Sequence, residues 1–202
     1  MNPETIPLFE VKGTYRQVGQ RIGEAMKPRL QRMLDRAREN LPPGVSWNEM
    51  VQQGRLYLTY SRTIYPQYVE ELEGIAEAAG LPFEEIFLEM CEELWEPAAW
   101  RERGVMTGTP WVMGMKGCTD MVARGRATTD GSTLVAHTND LSPDVEEDLV
   151  LLQVRAGDDP EFLGVSVGGL GYSAGFNAAG ISMTGNQVYC NDIRPGVPRL
   201  LI

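Results

Sequence analysis

The sequence predicts an α+β fold, N-terminal helices followed by an antiparallel sheet, and three observations carry that prediction. Apolar residues recur at three- and four-residue spacing through the N-terminal half, the period of a helix with one buried face. After Gly117 the period falls to two, and the alternating runs are separated by clusters such as Asp130-Gly131 and Gly157-Asp158 that suit turns. The chain of 202 residues is 43% hydrophobic and 23% charged, a globular composition long enough to close one core.

From Thr14 to Arg38 the residues Val18, Ile22, Ala25, Met26, Leu30, Met33, Leu34 and Ala37 share one helical face. Pro28 lies inside this pattern and predicts a kink, or two helices meeting there. Gly19 and Gly23 fall on the same face, where missing side chains allow a close backbone approach. Leu41-Pro42-Pro43-Gly44 reads as a loop, and Ser46 as the cap of a helix carrying Val51, Leu56 and Tyr60. A helix over about 66–79 places Tyr68, Leu72, Ile75, Ala76 and Ala79 on one side and stops at Gly80, which takes the left-handed conformation cheaply. Pro82 then suits the first turn of a helix running to about Trp95. Ile86, Phe87, Met90, Cys91 and Leu94 supply its buried side, leaving Glu84, Glu85, Glu89, Glu92, Glu93 and Glu96 as a solvated acidic face.

Between Pro97 and Lys116 the glycines and Pro110 break any helical period, and Trp100 and Trp111 mark a linker that still packs. Three hairpins follow. Runs 119–128 and 133–138 flank Asp130-Gly131, runs 149–155 and 162–167 flank 157–160, and runs 173–177 and 181–187 turn at Ala179-Gly180.

Composition excludes several classes. Lys and Arg total 18 against 28 Asp and Glu, a net charge of −10, which lacks the electrostatic footprint of a nucleic-acid or anionic-membrane binder. No apolar stretch approaches the roughly 18–20 residues of a membrane span, and the N-terminus does not read as a secretory signal. The cysteines Cys91, Cys118 and Cys190 are too few for a disulfide scaffold, so a reducing, cytoplasmic setting is expected. A single histidine, His137, rules out a multi-histidine metal site, and no metal or cofactor is expected.

Cys118 is the first candidate for chemistry. It follows Gly117 where the glycine-rich linker meets the first strand, although a cysteine in mid-strand is more often a small buried hydrophobe. Glycine leaves its own carbonyl sterically open, as attack on the Gly117–Cys118 peptide bond would require. If that bond broke, Cys118 would gain an α-amino group with a pKa of about 7.7–8.0, able to deprotonate its own thiol without histidine. The hairpin closed at Asp130-Gly131 returns Asp140 to the same end as Cys118, where a carboxylate can stabilise that ammonium. Asn139-Asp140 is otherwise a turn cluster before Ser142-Pro143. His137 is either the partner of Cys118 in an unprocessed cysteine–histidine hydrolase or a half-buried structural residue. The glycine-dense stretch 168–177 lacks the lysine of a phosphate loop. It is either a backbone approach to a pocket, with oxyanion donors nearby, or an ordinary turn. Asn139, Tyr172, Asn177 and Asn186 are the further substrate or oxyanion candidates, and Cys91 and Cys190 read as structural.

Gly117-Cys118-Thr119, followed by Asp130-Gly131 and Asn139-Asp140, resembles the acyl-coenzyme A:6-aminopenicillanic acid acyltransferase family of N-terminal-nucleophile hydrolases. Residues 13–23 look like that family's opening helix, and Glu71-Leu72-Glu73-Gly74-Ile75-Ala76 through Gly80 like its E-x-x-G-I-A-x-x-x-G helix. Gly171 to Asn186, ahead of Gly196-Val197-Pro198, looks like its glycine-rich strand pair, so the likeness runs from about residue 13 to 200. The resemblance implies a four-layer αββα sandwich and a zymogen that cuts itself before Cys118. Its products would be an α-chain of residues 1–117, linker 97–117 included, and a β-chain starting at Cys118. It further implies amide hydrolysis or acyl transfer through a thioester on Cys118, with Asp140 at the catalytic aspartate position. His137 falls where relatives vary. The implied partner is a small amide or acyl thioester, acyl-coenzyme A being a possible donor, and Trp100, Trp111, Tyr172 and Phe176 are candidates to line an apolar acyl pocket. Family members continue beyond the equivalent of Ile202, so the expectation is a shortened chain, completed by a second chain or a further C-terminal segment, or a non-catalytic remnant that binds or assembles.

Overall fold

The computed structural model describes residues 6–95, 117–186 and 193–202. It is an α+β protein in which helices precede most of the sheet, as the change of period predicts. One strand comes earlier. Leu8–Gly13 (β1) opens the chain and pairs in parallel with Leu149–Ala156 (β4), Val11 opposite Val154. The sheet is therefore mixed rather than antiparallel throughout, because β1 reaches its partner only after the helices have crossed over.

Tyr15–Glu39 (α1) begins at Thr14, whose hydroxyl accepts from the Gln17 N–H while the Gln17 side chain returns to the Thr14 N–H. It runs through Pro28 as one helix, not two. Pro28 and Glu24, whose carbonyl loses its partner to the proline, both lie on the exposed side, so water can take that acceptor. The expected stripe is buried except for Ala25, which is exposed, and Met33, which is half-buried. Gly19 and Gly23 do what their spacing predicts: a Cβ on either would collide with the Glu71 or Ile75 carbonyl of Pro66–Ala79 (α3). Gly74 returns the contact against the Arg16 carbonyl, so the two backbones touch.

Trp47–Ile64 (α2) is capped by Ser46 and Glu49, and it buries Met50, Gly54, Tyr57 and Ser61. Leu56 and Tyr60 are exposed. α3 ends at Gly80 with φ 68°, the left-handed cap expected of it. Phe83–Glu89 (α4) is shorter than the spacing predicts and hands over to a 3₁₀ turn at Glu92–Trp95.

The acidic face of α4 is a correction. Most of its described glutamates are drawn into contacts: Glu85 accepts from Arg38 and from Trp47 Nε1, Glu92 pairs with Arg199, and Glu93 accepts the Arg199 backbone N–H, while Glu84 stays 42% exposed beside Arg55. Glu89 Oε1 and Glu93 Oε2 are buried without a partner, and Glu96 lies outside the described residues. Burial pushes the Glu89 carboxyl up to about 8, with Arg36 and Arg38 pulling back. The unfolded chain then ionises Glu89 near 4.5 while the folded chain still holds the proton. Stability should fall as pH rises from about 4.5 towards 8. Burial also raises the Glu71 carboxyl to about 7, so urea denaturation across that range should show the decline, Glu89→Gln should reduce it, and adding Glu71→Gln should reduce it further.

β4 pairs with Phe162–Val167 (β5), which pairs with Leu170–Asn177 (β6), which pairs with Ser182–Thr184 (β7), all antiparallel. Two of the three predicted hairpins are these pairings. Val150, Leu152, Val154 and Ala156 of β4 are buried in the core cluster that also holds Val18, Ile22, Met26 and Leu30 of α1. Leu149, Leu151 and Gln153 alternate with them and are half-buried. A fully buried carboxylate locks the helix layer to the sheet. Asp148, immediately before β4, accepts from Arg32 Nε at 3.1 Å and again from Arg32 Nη2, and from Arg36 Nη2 at 2.6 Å.

Candidate active site

The third predicted hairpin holds the candidate chemistry. Cys118–Ala123 (β2) and Leu134–Asn139 (β3) form a two-stranded sheet of their own, with Cys118 opposite Asn139 and Asp120 opposite His137. The connection is longer than the Asp-Gly signal alone suggests. It includes a 3₁₀ turn at Gly125–Ala127, and Asp130 Oδ1 accepts the Ser132 N–H at 3.0 Å. Met121, Val122 and Leu134 on this hairpin are each about 60% exposed (62%, 61% and 59%).

The closure of the hairpin brings Asp140 back to Gly117. The Asp140 N–H donates to the Gly117 carbonyl at 2.8 Å, and Asp140 Oδ2 lies 2.6 Å from where a Cβ on Gly117 would stand. Any side chain at 117 would displace that carboxylate, so glycine is what permits its approach to the Gly117–Cys118 junction. The Cys118 thiol is half-buried and donates to Asn139 Oδ1 at 3.5 Å. Cys118, Asp140 and Asn139, three residues singled out by sequence, thus converge at one end of one hairpin.

His137 meets a carboxylate rather than the cysteine. Its Nδ1 is 2.7 Å from Asp120 Oδ1, and the other Asp120 oxygen accepts from Asn186 Nδ2. The hydrogen bond from His137 holds the Asp120 carboxyl below the usual range, with Thr184 and Asn186 adding to it. The His137 side chain is 6% exposed and its Nε2 is buried without a partner. Sequence reasoning missed Asp120. Once the register puts Cys118 opposite Asn139, Asp120 must stand opposite His137, but the Asp130-Gly131 signal alone does not give that register.

The other candidates lie elsewhere. Tyr172 packs edge-on against Phe162, ring centroids 4.8 Å apart, on the side of the hydrophobic core. Its hydroxyl is buried without a partner, and burial, reinforced by Glu71, pushes its pKa well up. Asn177 Oδ1 is occupied within its own turn, accepting the Ala179 and Ile181 N–H groups at 3.1 and 3.0 Å. The glycine-dense stretch opens as a tight turn pressed on α1 and continues as β6: Gly168 and Gly169 have φ 63° and 87°, and Cβ atoms there would strike Met33, Ile22 and Met26. Phe176 is 59% exposed. Cys91 is buried in the core, its thiol donating to the Phe87 carbonyl at 3.6 Å. Trp100, Trp111 and Cys190 lie outside the described residues.

Among the described residues, no group of three or more His, Cys, Asp or Glu side chains could hold a metal ion, and no helix is long and apolar enough to cross a membrane. No protein-family model matches the chain.

Proposed function

We propose that this chain is a self-processing cysteine hydrolase or acyltransferase of the N-terminal-nucleophile type, cut between Gly117 and Cys118. The observation that carries the reading is the Asp140 carboxylate lying against Gly117, 2.6 Å from an absent Cβ, at the peptide junction with Cys118. A carboxylate at the bond to be broken can stabilise the α-ammonium that cleavage creates. That amine can in turn take the thiol proton, which makes Cys118 nucleophilic without a histidine contact.

In this reading Cys118 attacks the carbonyl of an amide or acyl thioester and holds the acyl group as a thioester. Water or an acceptor amine then releases it. Acyl-coenzyme A is a suitable donor class, and the protein brings no cofactor of its own. Asn139, whose Oδ1 accepts from the thiol, is the candidate oxyanion donor through its carboxamide NH₂. The helix layer and the five-stranded sheet would supply one α and one β layer of a four-layer αββα sandwich.

Brief incubation with the p-nitrophenyl ester of hexanoic acid, acid quenching and peptide mass spectrometry test the chemistry. The expected product carries one hydroxylamine-labile hexanoyl group on Cys118, absent from Cys118→Ala. No adduct, or equal labelling of Cys91 and Cys190, contradicts the reading.

A further inference from the structure

The N-terminal-nucleophile reading leaves one step without a base. The α-amine that serves Cys118 afterwards does not exist until the Gly117–Cys118 bond has broken, so the cleavage itself needs another proton acceptor. We infer that His137, oriented by Asp120, is the base that activates the Cys118 thiol for cleavage of the chain; this rests on the proposed self-cleavage.

Three features of the hairpin carry the inference. Cys118, Asp120, His137 and Asn139 lie on one face of the two-stranded sheet, as two successive cross-strand pairs. His137 is thus the diagonal neighbour of Cys118, a separation of about 7–8 Å that long side chains bridge. Asp120, itself tied to Asn186, takes Nδ1 at 2.7 Å, which places the ring proton on Nδ1 and leaves Nε2 as the free lone pair. That Nε2 is buried and unpartnered on a side chain only 6% exposed. A buried polar atom left without a hydrogen bond is costly to keep, and it is accounted for if its partner is a proton in transit. The ionisable groups on this face among the described residues are Cys118, Asp120 and His137, with Thr184 and Asn186 the neutral neighbours of Asp120 and the Asp140 carboxylate turned to the Gly117 side.

Rotation of the cysteine side chain moves the thiol proton from Asn139 Oδ1 to His137 Nε2, and the thiolate adds to the Gly117 carbonyl carbon. The C–N bond to Cys118 breaks as the leaving nitrogen takes the proton back from Nε2, giving a Gly117 thioester on Sγ and a free α-amine. Water then adds to the thioester carbon, releasing the Gly117 carboxylate and regenerating the thiol. Asp120 touches none of the reacting atoms and is a positioning residue. His137 has no task in later turnover, because the amine has taken over as base.

The test follows chain breakage by intact mass in freshly synthesised protein across a range of pH. His137→Gln should slow the break by about 10²-fold, the scale of a lost general base. Asp120→Asn should slow it less and alter its pH dependence. Free imidazole should restore breakage in His137→Gly, which a purely structural loss would not allow. Breakage at an unchanged rate in a His137→Gln protein that melts normally overturns the inference alone. A wild-type chain that never breaks defeats the N-terminal-nucleophile reading and this inference together.

Discussion

Asp140→Asn is expected to slow cleavage of the chain by at least about 10²-fold while leaving the fold intact. Asparagine has the shape of aspartate, and the backbone bond from residue 140 to the Gly117 carbonyl does not depend on the side chain. What is lost is the negative charge beside the junction, the element assigned to stabilise the new ammonium. Gly117→Ala reaches the same point from the other side. Its Cβ would stand 2.6 Å from Asp140 Oδ2, so the carboxylate must move although its charge is kept. Both variants should persist as single chains in denaturing mass spectrometry under conditions where the wild type divides. Wild-type cleavage in Asp140→Asn would remove that carboxylate from the chemistry.

The second large effect concerns stability. Asp148→Ala should cost about 3 kcal/mol, the low end of the range for a broken buried ion pair. The carboxylate is fully buried and takes Arg32 and Arg36 on separate oxygens. Its removal abandons two guanidiniums, but both keep contact with solvent and can rehydrate, which moderates the loss. Since its own backbone carbonyl accepts the Gly168 N–H, the same residue also steadies the glycine turn against α1. That backbone bond survives either substitution; Asp148→Asn keeps the shape of the side chain without its charge and should fall between Ala and the wild type in urea denaturation. A shift of less than about 1 kcal/mol would assign these bonds the weight of surface pairs.

Much of the helical layer is legible from local pattern. The stripe on α1, the close approach at Gly19 and Gly23 and the stop at Gly80 each depend on residues within a turn or two of one another. Hairpins are legible for the same reason, and one of them is enough to bring Cys118, Asn139 and Asp140 together. β1 is not, because Leu8–Gly13 acquires its meaning from β4, which lies beyond the whole helical segment. The acidic run of α4 misleads because its neighbours Arg38, Trp47 and Arg199 come from distant parts of the chain and draw the glutamates inward. Tyr172 and the glycine stretch likewise look like pocket material in sequence, yet they are absorbed by packing on α1 and the core. Asp120 is the instructive miss. A turn at Asp130-Gly131 alone would pair Asp120 with Leu141; the longer connection, with its 3₁₀ turn at Gly125–Ala127, sets the register that brings Asp120 to His137.

The most direct measurement is the mass of the purified wild-type chain under denaturing conditions, with sequencing of any new N-terminus. The account predicts two fragments dividing between residues 117 and 118, the second beginning Cys-Thr-Asp-Met, and one unbroken chain for Cys118→Ala. A wild-type protein that stays whole, or that breaks elsewhere with Cys118 still internal, contradicts it.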